Sequence, residues 1–203
     1  MYYKYRTLES LDRLRYQRLY TGRYNEQNDL LEGRYLARHL PQHLIDDIRN
    51  QKSSLLFCSL TDSPYNAHMW EEYADNGHGL CIECNVLSKY KSSQIVYDNA
   101  HPLVDDIMVQ SYSPQDIALE ILRHKTLRWC NEHETRFYKV DTYIDDSGRS
   151  VQRQPYIKVV ITKVFLGWNM SAQEVSFYTE MIQSFPNNDF PIVQIQVQQC
   201  INQ

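Results

Sequence analysis

The stretch Tyr156-Ile-Lys-Val-Val-Ile-Thr-Lys-Val-Phe-Leu166 predicts a long β-strand, because six of its eleven residues are β-branched. Earlier in the chain, Ser113-Pro114 predicts the start of a helix that extends to about Cys130, since serine caps helices and proline suits the first helical position. Shorter helices and strands surround these two elements without a regular βαβ alternation. We therefore predict an α+β fold for residues 1–203, a single domain with a mixed or largely antiparallel sheet and several packed helices.

Three further segments extend this prediction. A strand over residues 2–6 precedes leucines at 8, 11, 14 and 19, whose spacing predicts a first helix. Ser171-Ala-Gln-Glu174 is a capping box that opens a helix to about Ser184. Apolar and glutamine residues alternate over residues 192–197, which predicts a strand with one solvated face.

Composition excludes several classes of protein. The 203 residues carry 21 basic and 25 acidic side chains, a net charge of −4 that is too close to neutral for a nucleic-acid coat protein. No run of 18 apolar residues occurs, so the sequence predicts no membrane span. The opening Met-Tyr-Tyr-Lys-Tyr-Arg lacks the apolar core of a signal peptide, and five widely spaced cysteines make a poor disulfide framework. We expect a cytoplasmic protein.

His78-x-x-Cys81-x-x-Cys84 is the one cluster with metal-ligand spacing. A tetrahedral zinc site needs four ligands, and no second pair at this spacing occurs elsewhere in the chain. The alternative is a strand, Gly79 to Cys84, whose cysteines pack as small apolar side chains. We favour the strand and assign no metal ligand.

The motif Trp129-Cys-Asn-Glu132-His-Glu134-Thr-Arg136-Phe concentrates the residues suited to catalysis. If residues 132–136 are extended, Glu132, Glu134 and Arg136 point to the same face. One interpretation is a catalytic pair of carboxylates, with Arg136 tuning or orienting Glu134. The other is a structural ladder of charges on a solvent-facing strand. The residues alone favour neither interpretation.

Two other groups of residues could contribute to a site. A strand that ends at Ser59 precedes a helix bearing Trp70 and Tyr73, which are neighbours on one helix face. These rings could stack on a flat ligand, although burial in the core is the commoner use of tryptophan and the one we favour. Asn28-Asp29-Leu-Leu-Glu32 is consistent with a helix N-cap followed by an acidic first turn.

The order of these motifs resembles the bacterial family called domain of unknown function 2971, over most of the chain. At residues 29–32 the family usually has Asp-Pro-Phe-Glu, where this sequence has Asp-Leu-Leu-Glu. The resemblance assigns no activity. The matching motifs are Tyr3-Lys-Tyr-Arg6, Asn28-Asp29-x-x-Glu32, Phe57-x-Ser59, Met69-Trp70-x-x-Tyr73-Ala-Asp75-x-x-x-Gly79, Lys125-x-x-x-Trp129-x-x-Glu132-x-Glu134-x-Arg136 and Phe165-Leu-Gly167.

A second resemblance implies an activity. Arg6, Ser59 and the Glu132-x-Glu134 pair are similar in order to the Arg-Ser-Glu triad of ADP-ribosyltransferases, although Cys58-Ser59-Leu60 replaces the usual serine-threonine-serine run. By this resemblance NAD is the substrate. Glu134 stabilises the cationic ribose by holding a hydroxyl, and Glu132 is the general base for the acceptor.

The same resemblance implies roles for the residues around the two glutamates. Arg6 would bind a phosphate or ribose of NAD, Ser59 would orient Glu134, and Tyr73 or Trp70 would stack on nicotinamide. Arg136 belongs to the same cofactor-binding set. The enzyme would be a toxin or phage-defence effector with a protein or nucleic acid as its acceptor, and it could have a regulatory or antitoxin partner.

Two alternatives remain open from the sequence. The chain could be a metal-dependent nuclease, in which Asp29, Glu32, Glu132 and Glu134 bind Mg²⁺. It could also be a non-catalytic binding or regulatory domain, in which the charged ladder only supports the core. A pocket that Arg6, Ser59, Glu134 and Arg136 share would favour the transferase, whereas three or more carboxylates around one point would favour the metal site.

Overall fold

The computed structural model of the protein describes residues 1–186 and 189–201, and its mixture of helices and mostly antiparallel sheets confirms the α+β prediction. Within these residues no helix is both long enough and apolar enough to cross a membrane. The α-helices, α1 to α6, are Gln42–Ser54, Ala67–Tyr73, Asp106–Ser111, Pro114–Leu122, Ala172–Gln183 and Val197–Ile201. Segments of 3-10 helix are Leu8–Tyr16, Tyr24–Glu26, Asp75–Gly77 and Leu127–Glu132.

The strands, β1 to β14, form one five-stranded sheet, one three-stranded sheet and three two-stranded ladders. They are Tyr2–Arg6, Arg18–Tyr20, Leu36–Ala37, Leu55–Leu60, Leu80–Val86, Lys91–Gln94, Val96–Tyr97, Leu103–Val104, His124–Lys125, Thr135–Val140, Thr142–Ile144, Ser150–Gln152, Tyr156–Leu166 and Ile192–Gln194.

The five-stranded sheet is organised around β13, the long strand that the sequence predicts with the same bounds. β13 pairs antiparallel with β5 and β2 and parallel with β14, and β1 adds to the outer edge of β5. Its buried residues alternate up to Ile161 and resume at Val164, because the register with β5 shifts between Ile161 and Lys163. The sheet is mixed but largely antiparallel, as predicted.

The three-stranded sheet has the order β4-β10-β6, with β10 at its centre. Almost every residue of β4 is buried, which is typical of a strand covered on both faces. An antiparallel bridge between Tyr3 and Thr61 joins β1 to the residue that follows β4. The edges of the two sheets therefore meet along β1 and the end of β4, the strands that carry Arg6 and Ser59.

The predicted helix from Ser113 to about Cys130 is wrong in its second half. Ser113 caps α4 by accepting from the backbone N–H of Asp116, but α4 ends at Leu122. The next residues form β9, which pairs with β7 instead of continuing the helix. The backbone N–H of Val96 donates to the Arg123 carbonyl, and that of Asp98 donates to the Lys125 carbonyl. This break matters because it places Lys125 on a strand beside the start of β10.

Both chain ends also depart from the sequence predictions. The expected first helix is a 3-10 helix over residues 8–16, which stops at Gln17 in the left-handed conformation before β2 begins. Leu11 and Leu14 still pack into the core. The expected strand over residues 192–197 is β14 only as far as Gln194, and α6 begins at Val197.

The cysteine motif forms β5, as the sequence favours. Cys81 and Cys84 are three residues apart on a strand, so they point to opposite faces. Each packs in a different hydrophobic cluster: Cys84 with Ile161 and Leu166, and Cys81 with Trp70 and its neighbours. The two thiols therefore do not share a site.

Gly79 allows the turn before β5 to approach the end of β1. A Cβ atom at Gly79 would overlap the backbone carbonyl oxygen of Arg6 and would lie within 2.8 Å of the backbone of Ala74. Because backbone atoms cannot swing aside as a side chain does, only glycine fits here. This close approach fixes the end of the strand that carries Arg6.

We expect Gly79→Ala to lower the free energy of unfolding by about 3 kcal/mol, through overpacking against backbone. The matched control is Gly148→Ala, where a Cβ meets nothing within 4 Å and only the positive φ of +76° is strained. That variant should lose about 1 kcal/mol. Urea denaturation of both variants measures the difference, and equal losses would contradict the close approach.

Candidate functional site

A cavity of about 410 Å³ lies where the two sheets meet. This volume is within the range of small-molecule sites. Its walls come from β1, the end of β4, α2, the residues around position 27, and the start of β10. The residues that could contact a ligand chemically are Lys4, Arg6, Asn28, Ser59, Tyr73, Lys125, Glu132 and Glu134.

Glu134 is held at the base of this cavity by three side chains. Ser59 lies directly opposite Arg136 across β4 and β10, so it shares a face with Glu134 two residues earlier. The Ser59 hydroxyl donates to Glu134 Oε1 at 2.5 Å, and Arg136 Nε donates to the same oxygen at 2.6 Å. Lys125 Nζ donates to the other oxygen, Oε2, at 3.2 Å.

Arg136 lies behind the cavity, with 1% of its surface exposed. Its two Nη atoms donate to the two oxygens of Glu32 at 2.7 and 2.8 Å, which is the bidentate geometry of strong arginine–carboxylate pairs. Nη1 also donates to the Leu122 carbonyl at the end of α4, at 2.5 Å. The guanidinium stacks over Phe57, 4.3 Å from the ring centroid. Every face of this cation is therefore occupied by protein.

Glu132 reaches the cavity from the 3-10 helix before β10. Residues 132–136 are not a continuous strand, because His133 adopts the left-handed conformation with a φ of 48°. The extended backbone that the sequence analysis assumed for residues 132–136 is therefore wrong. The interpretation as a ladder of charges on a solvent-facing strand is also wrong, since Glu132 and Glu134 are both buried. Lys125 Nζ bridges the two glutamates instead, 2.5 Å from Glu132 Oε2.

Tyr73 binds the remaining oxygen of Glu132. Its hydroxyl donates to Glu132 Oε1 at 2.5 Å and accepts from the Asn28 amide at 3.1 Å. Burial and the adjacent Glu132 charge raise the pKa of Tyr73, so the phenol keeps its proton at neutral pH. Tyr73 thus lines the cavity with a hydroxyl that two hydrogen bonds hold in place.

The charges around Glu134 determine its ionisation. Burial alone would raise the pKa of this carboxyl, but the ion pairs with Arg136 and Lys125 outweigh burial and hold the pKa well below its usual range. The charges of Glu134 and Glu132 raise the pKa of Lys125 despite its burial. At neutral pH the base of the cavity therefore contains a charged lysine and an ionised Glu134.

Lys4 adds a cation of a different kind. Its Nζ donates to the Ser59 carbonyl at 2.7 Å. Burial, together with repulsion from Arg6, lowers the pKa of Lys4 to about 8. Burial likewise lowers the pKa of Arg6. Two cations on the same face of β1 thus line the cavity that Glu132 and Glu134 also line.

The fold brings together most of the residues that the sequence singled out. Arg6, Ser59, Tyr73 and both glutamates line one cavity, although they are distributed over 129 positions of sequence from residue 6 to residue 134. Arg136 does not line it, so the assignment of Arg136 to the cofactor-binding set is wrong and the pocket expected of the transferase forms without this residue. Arg136 contacts Glu134 from behind instead, which agrees with the orienting role.

Trp70 does not reach the cavity. The residue has no exposed surface, its ring packs 5.1 Å from Tyr5 and 5.4 Å from Trp168, and its indole N–H donates to the Pro64 carbonyl at 2.8 Å. The assignment of Trp70 as a stacking partner for a ligand is therefore wrong. Its alternative as helix core, which we favoured from the sequence, agrees with this packing.

Sequence reasoning missed the roles of Lys4, Glu32 and Lys125. The sequence did contain an indication for Lys125, because it stands four residues before Trp129 in a motif quoted above. In the structure its Nζ lies 4.8 Å from the centroid of that ring. Glu32 stood in a motif interpreted as a helix cap, but it lies in a short turn and binds Arg136 across 104 positions of sequence. Nothing local to residue 4 indicated its burial beside Ser59.

The carboxylates are engaged by cations in a way that does not suit a metal site. Over residues 1–186 and 189–201, no three His, Cys, Asp or Glu side chains are arranged to hold an ion. Arg136 occupies the space between Glu32 and Glu134, and Lys125 the space between Glu132 and Glu134. The donor set of the nuclease alternative is therefore not assembled.

Comparisons of the chain with protein-family models, with curated proteins and with solved structures gave no match.

We expect the Lys4 ammonium to titrate near pH 8, rather than at the ordinary value of about 10.4. NMR of the ¹³Cε resonance, assigned by its loss in Lys4→Met, measures this pKa. Arg6→Gln should raise it by removing the neighbouring charge, whereas Arg149→Gln, in an exposed turn, should leave it unchanged. An ordinary lysine pKa in the wild-type protein would contradict the burial of Lys4.

Proposed function

We propose that the protein is an NAD-consuming enzyme of the ADP-ribosyltransferase type, with Glu134 as its central catalytic residue. The observation that carries this proposal is the 2.5 Å hydrogen bond from Ser59 to Glu134 in the cavity that Arg6 also lines. Arg6 at the end of β1, Ser59 in β4 and Glu134 just before β10 thus line one cavity, which supports the roles proposed for them.

The ionisation of Glu134 suits this chemistry. In the reaction the bond between ribose C1′ and the nicotinamide nitrogen breaks, its electron pair leaves with nicotinamide, and positive charge develops on the ribose. A buried carboxylate that stays ionised at neutral pH stabilises that charge. Glu134 Oε2 has only the 3.2 Å contact with Lys125 and a 3.4 Å contact with Arg136, so it can accept a ribose hydroxyl.

Glu132 is the general base in this proposal. As the acceptor attacks C1′, its proton must leave, and Glu132 lies beside Glu134 with one short hydrogen bond on each oxygen. Each oxygen of a carboxylate has a second lone pair, so both contacts can persist while a proton is taken. Tyr73 and Lys125 would keep Glu132 aimed at the cavity during transfer.

The rest of the cavity fits the remainder of NAD. Arg6 and Lys4 would bind the negatively charged pyrophosphate, since both are cations that line the cavity. Tyr73 remains the aromatic group that can stack on nicotinamide, because Trp70 is enclosed in the core. NAD would be a substrate here and not a resident cofactor.

The biological setting belongs to the same proposal. We infer a toxin or phage-defence effector of the bacterial cytoplasm that modifies a protein or nucleic acid and is restrained by a regulatory or antitoxin partner. Membership in the domain of unknown function 2971 family stays a prediction from the motifs. The acceptor would approach beside Glu132, at the mouth of the cavity near Asn28 and Tyr73.

Release of nicotinamide from NAD by the purified protein tests this proposal, with cell RNA and lysate offered as acceptors. We expect Glu134→Gln to reduce the rate by at least about 100-fold, the usual scale for removing a group that stabilises the transition state. Glu180→Gln on the exposed face of α5 is the matched control and should keep the wild-type rate.

Thermal unfolding separates loss of chemistry from loss of fold in these variants. Because Glu134→Gln leaves two buried cations short of a partner, Ser59→Ala provides a milder second variant that removes only the hydroxyl contact. We expect about tenfold slower release from Ser59→Ala, in line with the loss of one orienting hydrogen bond. Absence of release from the folded wild-type protein with every acceptor, or full activity of Glu134→Gln, would refute the proposal.

A further inference from the structure

Glu32 is a buried carboxylate that the proposed chemistry does not use. Its side chain is 1% exposed, and it makes two hydrogen bonds to Arg136 in parallel geometry. It does not line the cavity and binds the Nη atoms of Arg136, while Nε binds Glu134. Burial of a third carboxylate is costly, and burial raises the pKa of Glu32 even beside a guanidinium. Burial of the Glu32 carboxylate therefore suggests a role beyond packing.

We propose that Glu32 is a positioning residue for Glu134 and acts through Arg136; this inference rests on the proposed function. A guanidinium has its donors in one rigid plane. When Glu32 binds both Nη atoms, the rotation of that plane is fixed, and Nε then points at Glu134 Oε1 from 2.6 Å. Without Glu32, Arg136 could turn about its side-chain bonds and the contact with Glu134 would loosen.

The same short segment orients the second carboxylate from its other end. The Asn28 amide donates to the Tyr73 hydroxyl oxygen, so the hydroxyl proton must point away from Asn28 and toward Glu132. Residues 28–32 thus reach Glu132 through Tyr73 and Glu134 through Arg136. This arrangement explains why a polar segment that forms no long helix carries an amide and a carboxylate four residues apart.

The first test measures positioning without relying on activity. The Arg136 Nε proton should be strongly protected from exchange with water in the wild-type protein, as read from ¹H–¹⁵N NMR. We expect Glu32→Gln to speed this exchange by about tenfold or more, because opening of the contact becomes easier. Asp141→Asn is the control: it weakens another acid–arginine pair, the buried Asp141 with the partly exposed Arg23 at 2.6 Å, at the opposite end of β10.

The second test asks whether the position matters for catalysis. Glu32→Gln should lower kcat for nicotinamide release by about 30-fold with KM within about twofold, since a small misplacement near the reacting atoms is costly while NAD contacts are untouched. Glu32→Asp, which keeps the charge, should restore part of kcat. Asp141→Asn should retain the wild-type kcat per folded molecule, although it also loses stability.

The outcomes separate this inference from the function it rests on. Faster exchange in Glu32→Gln together with a selective loss of kcat supports it. Unchanged exchange, or a kcat loss that Asp141→Asn reproduces in proportion to its lost stability, overturns it. If the folded wild-type protein releases no nicotinamide, the proposed function fails, and the exchange measurement alone then decides whether Glu32 holds Arg136 against Glu134.

Discussion

The rest of the site depends on one buried cation, Arg136. Taking a guanidinium out of water costs several kcal/mol, and only a complete set of partners offsets that cost. Arg136 has this set: two carboxylates, the carbonyl at the end of α4, and the ring of Phe57. These partners belong to four different parts of the chain, so a single side chain on the central strand of the smaller sheet ties them together.

The partners of Arg136 also determine the character of the cavity. Three acidic side chains, Glu32, Glu132 and Glu134, are paired with two basic ones, Lys125 and Arg136, in this buried group. Lys4 and Arg6 line the same cavity. A site that combines an ionised carboxylate with additional cations suits a ligand that develops positive charge at one end and carries phosphates at the other.

Sequence patterns were sufficient where local physics decides the outcome. The β-branched run made β13 predictable to the residue, and Ser113-Pro114 marked the start of α4. They were insufficient where distant segments compete. α4 stops early because β7 offers backbone hydrogen bonds to residues 123–125, and no periodicity near Cys130 encodes that pairing.

The same division applies to the site. The order of Arg6, Ser59 and Glu134 could be noted from the sequence, and the cavity contains all three. The ion pair between Glu32 and Arg136 could not be predicted from the sequence. A short acidic motif after a loop has the same composition whether it caps a helix or neutralises a distant arginine. Trp70 was assigned to the site but belongs to the core. A tryptophan near a tyrosine on one helix face is compatible with ligand stacking and with core packing, so the sequence does not separate the two.

The central claim is that Glu134, held by Ser59 and Arg136, faces the ribose of bound NAD. A crystal structure of Glu134→Gln soaked with NAD tests it most directly, since the variant should bind the substrate without cleaving it. The account predicts a ribose hydroxyl within hydrogen-bonding distance of residue 134 and the pyrophosphate beside Lys4 and Arg6. NAD bound elsewhere, or a cavity that stays free of NAD at saturating concentration while the fold is intact, would contradict it.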